Sequence, residues 1–545
     1  MIHGYTAAQI RAAEEPLLTA GRPLMQHAAF ALAGAVAGEL AARRGRVVGS
    51  TAVLLVGAGN NGGDTLHAGA LLARRGVRVL ALCTGSPHAE GLAALRRAGG
   101  RAVLVTDGLD EAGGNAGPDE GSQETDASGA SDGPRAGAAL PTLWAGDAAA
   151  EAATADVLLD GLLGIGGSGA PRGVAGVLTA VLAQTLTDRD DPAAGGPLVV
   201  AVDLPSGIGV DDGALPTDGT VLPADLTVTF GGVKAGLLLP PASALAGTVW
   251  PVDLGLPLDP ERAAVIRLDP TDVAALWPVP GTGDHKYTRG VLGVVAGTAR
   301  YPGAAVLAVT AAARSGVGMI RFQGPDRVVD AVLAARPEVV HGTGRVQAWL
   351  VGPGVDPEDG EQADGVRQSL AAALAAGQPV VADAGALSLL PERLAPSCVL
   401  TPHAGELATL LVGRGVQVDR AAVEREPVRW ARRAQELTGA TVLLKGATTV
   451  VVGAQGACLS QADGPGWLAT AGAGDVLSGV LGALLAGRAT EVVEDPSVTA
   501  TLAAVAALVH GRAARRANPG GPIVALDVAE AVPGTVAELL AAAER

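Results

Sequence analysis

Lysine is nearly absent from this sequence. The 545 residues hold three, Lys234, Lys286 and Lys445, within a set of 39 basic side chains that is otherwise arginine. Where any surface charge would serve, arginine has been used. A lysine kept at three places therefore points to its own chemistry, a compact charge on a flexible stem. Cysteine is as sparse: Cys83, Cys398 and Cys458 lie far apart and form no CxxC pair. This argues against a disulfide framework or a paired-thiolate zinc site and fits a reducing compartment. Aromatic residues make up 2% of the chain, so its cores must be built from Ala, Val and Leu, which the 48% hydrophobic content supplies. There is no basic excess. The formal net charge of −16 argues against a nucleic-acid partner, which wants a basic face. The first ten residues show no basic stretch leading into an apolar run, and no apolar stretch of spanning length stands out. The expected location is cytoplasmic, with no membrane partner.

A chain of this length exceeds one core, since domains hold roughly 100–200 residues. Residues 107–140 are rich in Gly, Asp, Ser and Ala and read as a disordered acidic insertion. On either side, short apolar strands alternate with helices, which predicts an α/β class with parallel sheets. In the first half, helical sequence runs over 7–42 with a break at Pro23. Strands follow near 51–57, 77–82, 155–160, 198–203 and 226–230, with a helix from about Thr65. The second half starts near Ala263. Its strands fall near 290–296, 348–351, 380–383, 399–400, 441–444 and 448–452, with helices over 304–315 and after Asp475.

The first half gathers polar groups at strand ends. Gly57-Ala-Gly59-Asn60-Asn61-Gly62-Gly63-Asp64 follows one strand, and its G-x-G-x-x-G spacing alone is a weak signal. The next strand ends Ala81-Leu82-Cys83-Thr84 without the acid that a dinucleotide ribose would need. Two other apolar strands end in Asp160 and Asp203, each with glycine close behind. Asn, Asp and Ser oxygens converging on one sheet edge suit a hard cation. Lys234 could join them as a cationic or proton-transfer group. Each acid taken singly could instead be a helix or turn cap.

The second half carries Thr470-Ala471-Gly472-Ala473-Gly474-Asp475 ahead of an apolar helix. A glycine turn opening a helix aims free N–H groups at one spot, and the helix dipole adds positive potential there. Asp475 at its edge can accept the proton of an attacking hydroxyl. Lys445-Gly446 stands at a strand end, where the lysine can meet nucleotide phosphates. His403 lies in Thr401-Pro402-His403-Ala404-Gly405-Glu406, and Gly352-Pro353-Gly354 is a tight turn. Lys286 is a further candidate anion contact.

In the first half, Asn60–Asp64, Asp160-Gly161-Leu162-Leu163-Gly164, Val202-Asp203-Leu204-Pro205-Ser206-Gly207, Lys234-Ala235-Gly236 and the earlier Leu24-Met25-Gln26-His27-Ala28 resemble the NAD(P)H-hydrate epimerases. The resemblance covers residues 1–257 and implies a Rossmann-like three-layer domain that interconverts R and S hydrates of NADH and NADPH. It implies substrate contacts from Asn60, Asn61, Gly62, Gly63, Asp64, Gly164, Ile165, Gly166, Gly167, Ser168, Gly169, Ala170 and Asp203. It also implies K⁺ ligands at Asn61, Asp160 and Ser206, with acid/base work by Asp203 and Lys234. Thr65 stands where that family usually has Gly, while Gly161 and Leu163 replace Ala and Phe. These departures point to a looser pocket or a weakened epimerase.

In the second half, His285-Lys286, Gly297-Thr298 with Pro302-Gly303-Ala304, Gly352–Gly354, Thr401–Glu406, Lys445-Gly446 and Gly472–Asp475 resemble the ribokinase-like superfamily, and within it the NAD(P)H-hydrate dehydratases. This resemblance is assigned to residues 265–545. It implies contacts of Ala304, Gly354, His403 and Asp475 with the hydrated nicotinamide. It implies contacts of Lys445, Gly446, Ala447, Thr448, Thr449 and Gly474 with an adenine nucleotide, Mg²⁺, and ADP or ATP as phosphoryl donor. A homo-oligomer is expected. Two alternatives stay open: a small-molecule kinase with an N-terminal regulatory domain, and a first half that only binds ligand.

Overall fold

The computed structural model of the chain describes residues 1–107, 140–187 and 196–543. The insertion expected over 107–140 lies almost wholly outside the described residues.

The first half builds an eight-stranded, all-parallel sheet. From one edge to the other the strands are Thr248–Val252, Leu226–Phe230, Leu198–Val202, Val157–Gly161, Thr51–Val56, Arg78–Cys83, Arg101–Thr106 and Thr142–Trp144. The pleat sends alternate residues to opposite faces. Ala52, Leu54 and Val56 join a core under the helices Leu24–Arg44, Asn60–Arg74 and Ala89–Arg97. Val53 and Leu55 join a second core under Ala145–Ala153 and Gly173–Thr187. Burial on both faces explains why the strands are continuous apolar runs, and the result is the three-layer α/β class expected. Strand order reverses between Thr51–Val56 and Val157–Gly161. Ligands of open sheets bind at such a point, beyond the carboxyl ends of the strands.

The second half builds a larger mixed sheet. Its parallel part runs Val340–His341, Met319–Gln323, Val291–Val295, Ala348–Val351, Val380–Ala382, Cys398–Leu400 and Thr441–Leu444. Thr449–Val452 and Cys458–Gln461 continue it antiparallel. Its order reverses between Val291–Val295 and Ala348–Val351.

The two halves share this second sheet. Beyond Cys458–Gln461 come Val265–Arg267, then Ile2–Tyr5, then Val233–Lys234. Two strands of the first half thus finish the sheet of the second, which strand patterning did not reveal. The helix starting at Asn60 also begins earlier than expected. Gly62 and Gly63 are there for close packing rather than turning: a Cβ on Gly62 would lie 2.1 Å from the Gly57 carbonyl oxygen, and one on Gly63 3.0 Å from Met25.

The helix Leu24–Arg44 is long and apolar enough to cross a membrane by length and composition, contrary to the sequence expectation. In the fold Ala28, Ala29, Leu32, Ala33, Val36 and Leu40 are buried in the first core. Its apolar length is accounted for by that stripe.

Candidate active sites

The first site forms at the reversal point of the parallel sheet. Asp160 and Ser206 are nearly inaccessible. Ser206 Oγ donates to Asp160 Oδ1 at 2.6 Å, and Ser206 N–H to Asp160 Oδ2 at 2.9 Å. The Asn61 amide donates to the Leu163 carbonyl at 2.8 Å. Gly164 packs on Asn61, where a Cβ would lie 3.2 Å away. Burial pushes the Asp160 carboxyl above its ordinary value, against the hydrogen bonds from Ser206 and Leu162. A buried carboxylate beside an amide, a hydroxyl and a backbone carbonyl fits one singly charged hard cation. Among the described residues no group of three His, Cys, Asp or Glu could cage a metal.

Beside this nest lies a buried ion pair. Lys234 Nζ is paired with Asp203 Oδ1 and donates to Thr229 Oγ1 at 3.2 Å and the Phe230 carbonyl at 2.7 Å. Asp203 Oδ1 also accepts the Phe230 N–H at 3.1 Å. Asp203 adopts φ +70°. A non-glycine residue in that region costs about 1–3 kcal/mol and persists where surroundings over-determine it, often at functional sites. Asp64 faces the same charges, and its Oδ1 is buried with no partner. Burial, then the nearby Asp203 and Glu14 carboxylates, hold the Asp64 carboxyl well above its ordinary value, with Lys234 opposing. Glu14 comes from the first helix and is itself raised by burial, with Lys234 opposing. Glu14 belongs to no motif that the sequence displays. Three residues earlier on the same helix, Arg11 Nη2 donates to the Ile165 carbonyl at 2.6 Å, tying that helix to the Gly164–Ala170 loop. Ala170 packs on Gly207, while Gly166 and Ser168 are exposed.

Two of the three departures compensate each other. A Cβ on Gly161 would lie 1.9 Å from Thr65 Oγ1. Thr65 is fully buried, and its hydroxyl donates to the Asn61 carbonyl at 2.7 Å. The larger residue at 65 fills what the smaller one at 161 leaves. Leu163 contributes through its backbone, donating to Ser206 Oγ at 2.9 Å. Gly161→Ala should therefore destabilise the protein by about 1–3 kcal/mol through overpacking. Thermal unfolding should show most of that loss recovered in the Thr65→Gly/Gly161→Ala double variant, and an unchanged single variant would refute the swap.

The second site lies at the N-terminus of the helix Ala473–Gly487. Gly472 caps it at φ +86°, and a Cβ there would strike Leu307 at 2.4 Å. The first-turn N–H groups of Gly474 and Asp475 have no carbonyl of their own helix to bond. Lys445 Nζ donates to Asp383 Oδ1 at 2.9 Å and lies 3.7 Å from Glu406 Oε2. A Cβ on Gly474 would lie 3.2 Å from that same Nζ. Thr401 Oγ1 donates to Asp383 at 2.8 Å. Burial pushes the Asp475 carboxyl up to about 7, helped by the Asp383 and Glu406 charges and opposed by Lys445. Burial would lower the Lys445 ammonium, but Asp383 and Glu406 outweigh it and hold it above its ordinary value. Such opposed settings are common in acid/base sites.

His403 heads the helix Ala404–Gly413. Its Nδ1 accepts the N–H groups of Gly405 and Glu406, and it bridges in parallel to Lys445. Gly354 packs on Ala304, where a Cβ would lie 2.7 Å away, and the Gly297 N–H donates to the Pro353 carbonyl at 2.7 Å. These four residues mark the second reversal point. A cavity of about 790 Å³ opens beside His403 and Glu406, walled by Leu387, Leu390 and Leu410. Lys286 joins neither site: it is exposed, over the Tyr287 ring. Asp383, missed by sequence analysis, ends an apolar strand just as Asp160 and Asp203 do.

Two family models cover most of this architecture. One described as YjeF-related protein N-terminus matches residues 21–236, and one described as NAD(P)H-hydrate dehydratase matches residues 292–529. The bifunctional NAD(P)H-hydrate repair enzyme Nnr of Mycobacterium tuberculosis is 40% identical over 505 residues, which is 89% of each chain. The chain belongs to the bifunctional NAD(P)H-hydrate repair enzymes. An NAD(P)H-hydrate epimerase of Clavibacter michiganensis is 42% identical to this chain over 257 residues, covering 47% of this chain and 91% of that one. The solved ADP/ATP-dependent NAD(P)H-hydrate dehydratase of Bacillus subtilis, co-crystallised with ATP/Mg²⁺, is 27% identical. It covers 50% of this chain and 97% of its own, at a TM-score of 0.43. One family model names an NAD(P)H-hydrate dehydratase, and the relatives' names give an epimerase and a bifunctional repair enzyme, so the small-molecule kinase alternative is not favoured.

Proposed function

We infer that the protein restores hydrated NADH and NADPH in two steps. Residues 1–257 interconvert the R and S hydrates, and residues 265–545 dehydrate the S form with an adenine nucleotide as phosphoryl donor. The observation that carries the second step is the Asp475 carboxyl, set near 7 at a helix N-terminus beside Lys445. The hydrate's hydroxyl sits on a carbon next to the ring nitrogen, and hydroxide leaves poorly. Asp475 takes the hydroxyl proton, and the oxygen attacks the terminal phosphorus of the nucleotide. The bond from that phosphorus to the bridging oxygen breaks, releasing AMP when the donor is ADP. Lys445 and the Gly472–Gly474 turn hold the transferring charge. The nitrogen lone pair then expels phosphate, and loss of the proton on the adjacent ring carbon gives the dihydronicotinamide. Mg²⁺ arriving on the phosphates would neutralise their charge, with Asp383 and Glu406 the carboxylates placed to hold it. The cavity beside His403 accommodates the rest of the dinucleotide.

In the first half the ring carbon meets Asp64 as an acid and the Asp203–Lys234 pair as a base, which suits reversible loss and return of water or ring opening at that carbon. Asn60–Asp64 and Gly164–Ala170 enclose the substrate. K⁺ held by Asn61, Asp160 and Ser206 would supply a fixed positive charge there. The three cysteines, all buried and unpaired, support a cytoplasmic setting.

The test follows separated R and S NADHX by chromatography with ADP or ATP. The S form should vanish with nucleotide, yielding NADH and phosphate, and the R form should follow. A stable phosphorylated product with no free phosphate would indicate a kinase. Epimerisation should be faster in KCl than in NaCl, and Asp160→Asn should erase that difference. An unchanged difference would remove Asp160 from the cation site.

A further inference from the structure

A ten-residue stretch joins the two sites. It starts at Lys234, runs through the helix Ala235–Leu238 and two prolines, and ends in the short turn Ala242–Ala244. Ala235, Leu237, Leu238, Leu239 and Ala242 are buried, and a Cβ on Gly236 would strike the Gly209 carbonyl oxygen at 2.0 Å. Packing that close transmits strain along the stretch. At its far end Ser243 Oγ lies 3.1 Å from Thr448 Oγ1. Thr448 is buried and lies within Lys445–Thr449, and its hydroxyl is met by a residue of the other half. A second tie lies close by. Arg267 Nη2 donates to the Leu238 carbonyl at 2.6 Å, and its Nε to Ser460 Oγ at 3.3 Å.

A hydroxyl offers one donor and two acceptor positions on a free rotor. The contact with Ser243 takes up one of them and turns the remainder in a fixed direction. We propose that Ser243 is a positioning residue for the nucleotide site: the first half supplies it to orient Thr448, and nucleotide occupancy is thereby coupled to the setting of Lys234 through residues 234–243. The proposal rests on Lys445–Thr449 being the nucleotide segment. By linkage, any effect of nucleotide on the first site is returned as an equal effect of hydrate bound there on nucleotide affinity.

The experiment uses the full-length protein and measures ADP and ATP binding by calorimetry, with Mg²⁺. Ser243→Ala should weaken binding about fivefold, the worth of one neutral hydrogen bond. The nucleotide KM of dehydration should rise by the same factor, with kcat and the KM for S-NADHX unchanged. Thr448→Ala should lose at least as much, and the Ser243→Ala/Thr448→Ala double variant no more than Thr448→Ala alone. Ser243→Thr, which keeps the hydroxyl, should bind as wild type does. Hydrogen exchange of the 235–243 amides should slow on ADP addition in wild type and not in Ser243→Ala. Wild-type affinity in Ser243→Ala, or additive losses in the double variant, would overturn the proposal alone. A wild-type protein that binds neither nucleotide would instead refute the nucleotide segment on which it rests.

Discussion

Asp475→Asn should lower kcat for dehydration of the S hydrate by about 10³-fold, within the 10²–10⁴ range of a positioned general base. The amide keeps the shape of the carboxylate but cannot take the hydroxyl proton. Nucleotide binding should survive, because Lys445 and the helix N-terminus remain. The pH profile gives the sharper test. Asp475 acts only when ionised, and its carboxyl sits at about 7. Below that value wild-type kcat/KM should fall about tenfold per pH unit as the base is protonated, and above it the rate should level off. In Asp475→Asn the residual rate should lose this step. A variant that keeps the step, or keeps more than a tenth of wild-type kcat, would assign the base elsewhere. Asp383 and Glu406 are then the carboxylates to examine, since both already bear on Lys445.

Lys234→Met carries the second large effect, and it acts on both activity and stability. Lys234 is the largest fully buried side chain among the described residues. Its removal leaves the Asp203 carboxylate buried without its cation, and breaking one side of such a pair costs about 3–5 kcal/mol. The melting temperature should fall, and R-to-S conversion should drop by about 10²–10⁴-fold if the pair serves as base. Asp203→Asn separates the two contributions. Its amide still meets Lys234, which keeps the Thr229 and Phe230 contacts, so folding should suffer less while epimerisation is lost. Given a mixture of hydrates with nucleotide, either variant should consume the S form and leave the R form behind. Consumption of both forms at the wild-type rate would reduce the first half to a ligand-binding module.

Apolar strands ending in an acid were legible because burial on both faces leaves one polar residue at the mouth of the sheet. The same pattern marks Asp383, and extending it to the second half would have found that residue. The glycine turn before Asp475 was legible for a similar reason, since few sequences other than a phosphate-facing helix start need so many small residues there. The start of the helix at Asn60 was not. Glycines suggest a turn, and nothing local tells that Gly62 and Gly63 are small because Gly57 and Met25 press on them. The Thr65–Gly161 exchange was visible only as two separate oddities, because residues 96 positions apart reveal complementary volumes only once strand and helix are packed. Ile2–Tyr5 and Val233–Lys234 were hidden most deeply. They span four and two residues, too short for a period, and their partners lie in distant segments.

The strand Ile2–Tyr5, clasped between Val233–Lys234 and Val265–Arg267, has a bearing on how this protein can be divided. A cut between residues 257 and 265 leaves two raw edges. The leading fragment bares the side of Ile2–Tyr5 that Val265–Arg267 had covered, and the trailing fragment bares that partner strand. Unpaired edges recruit other strands and invite aggregation. The link between the halves is therefore more than a tether of convenient length. It keeps a seam closed, and that seam favours making the two catalysts as one polypeptide over mixing them as two.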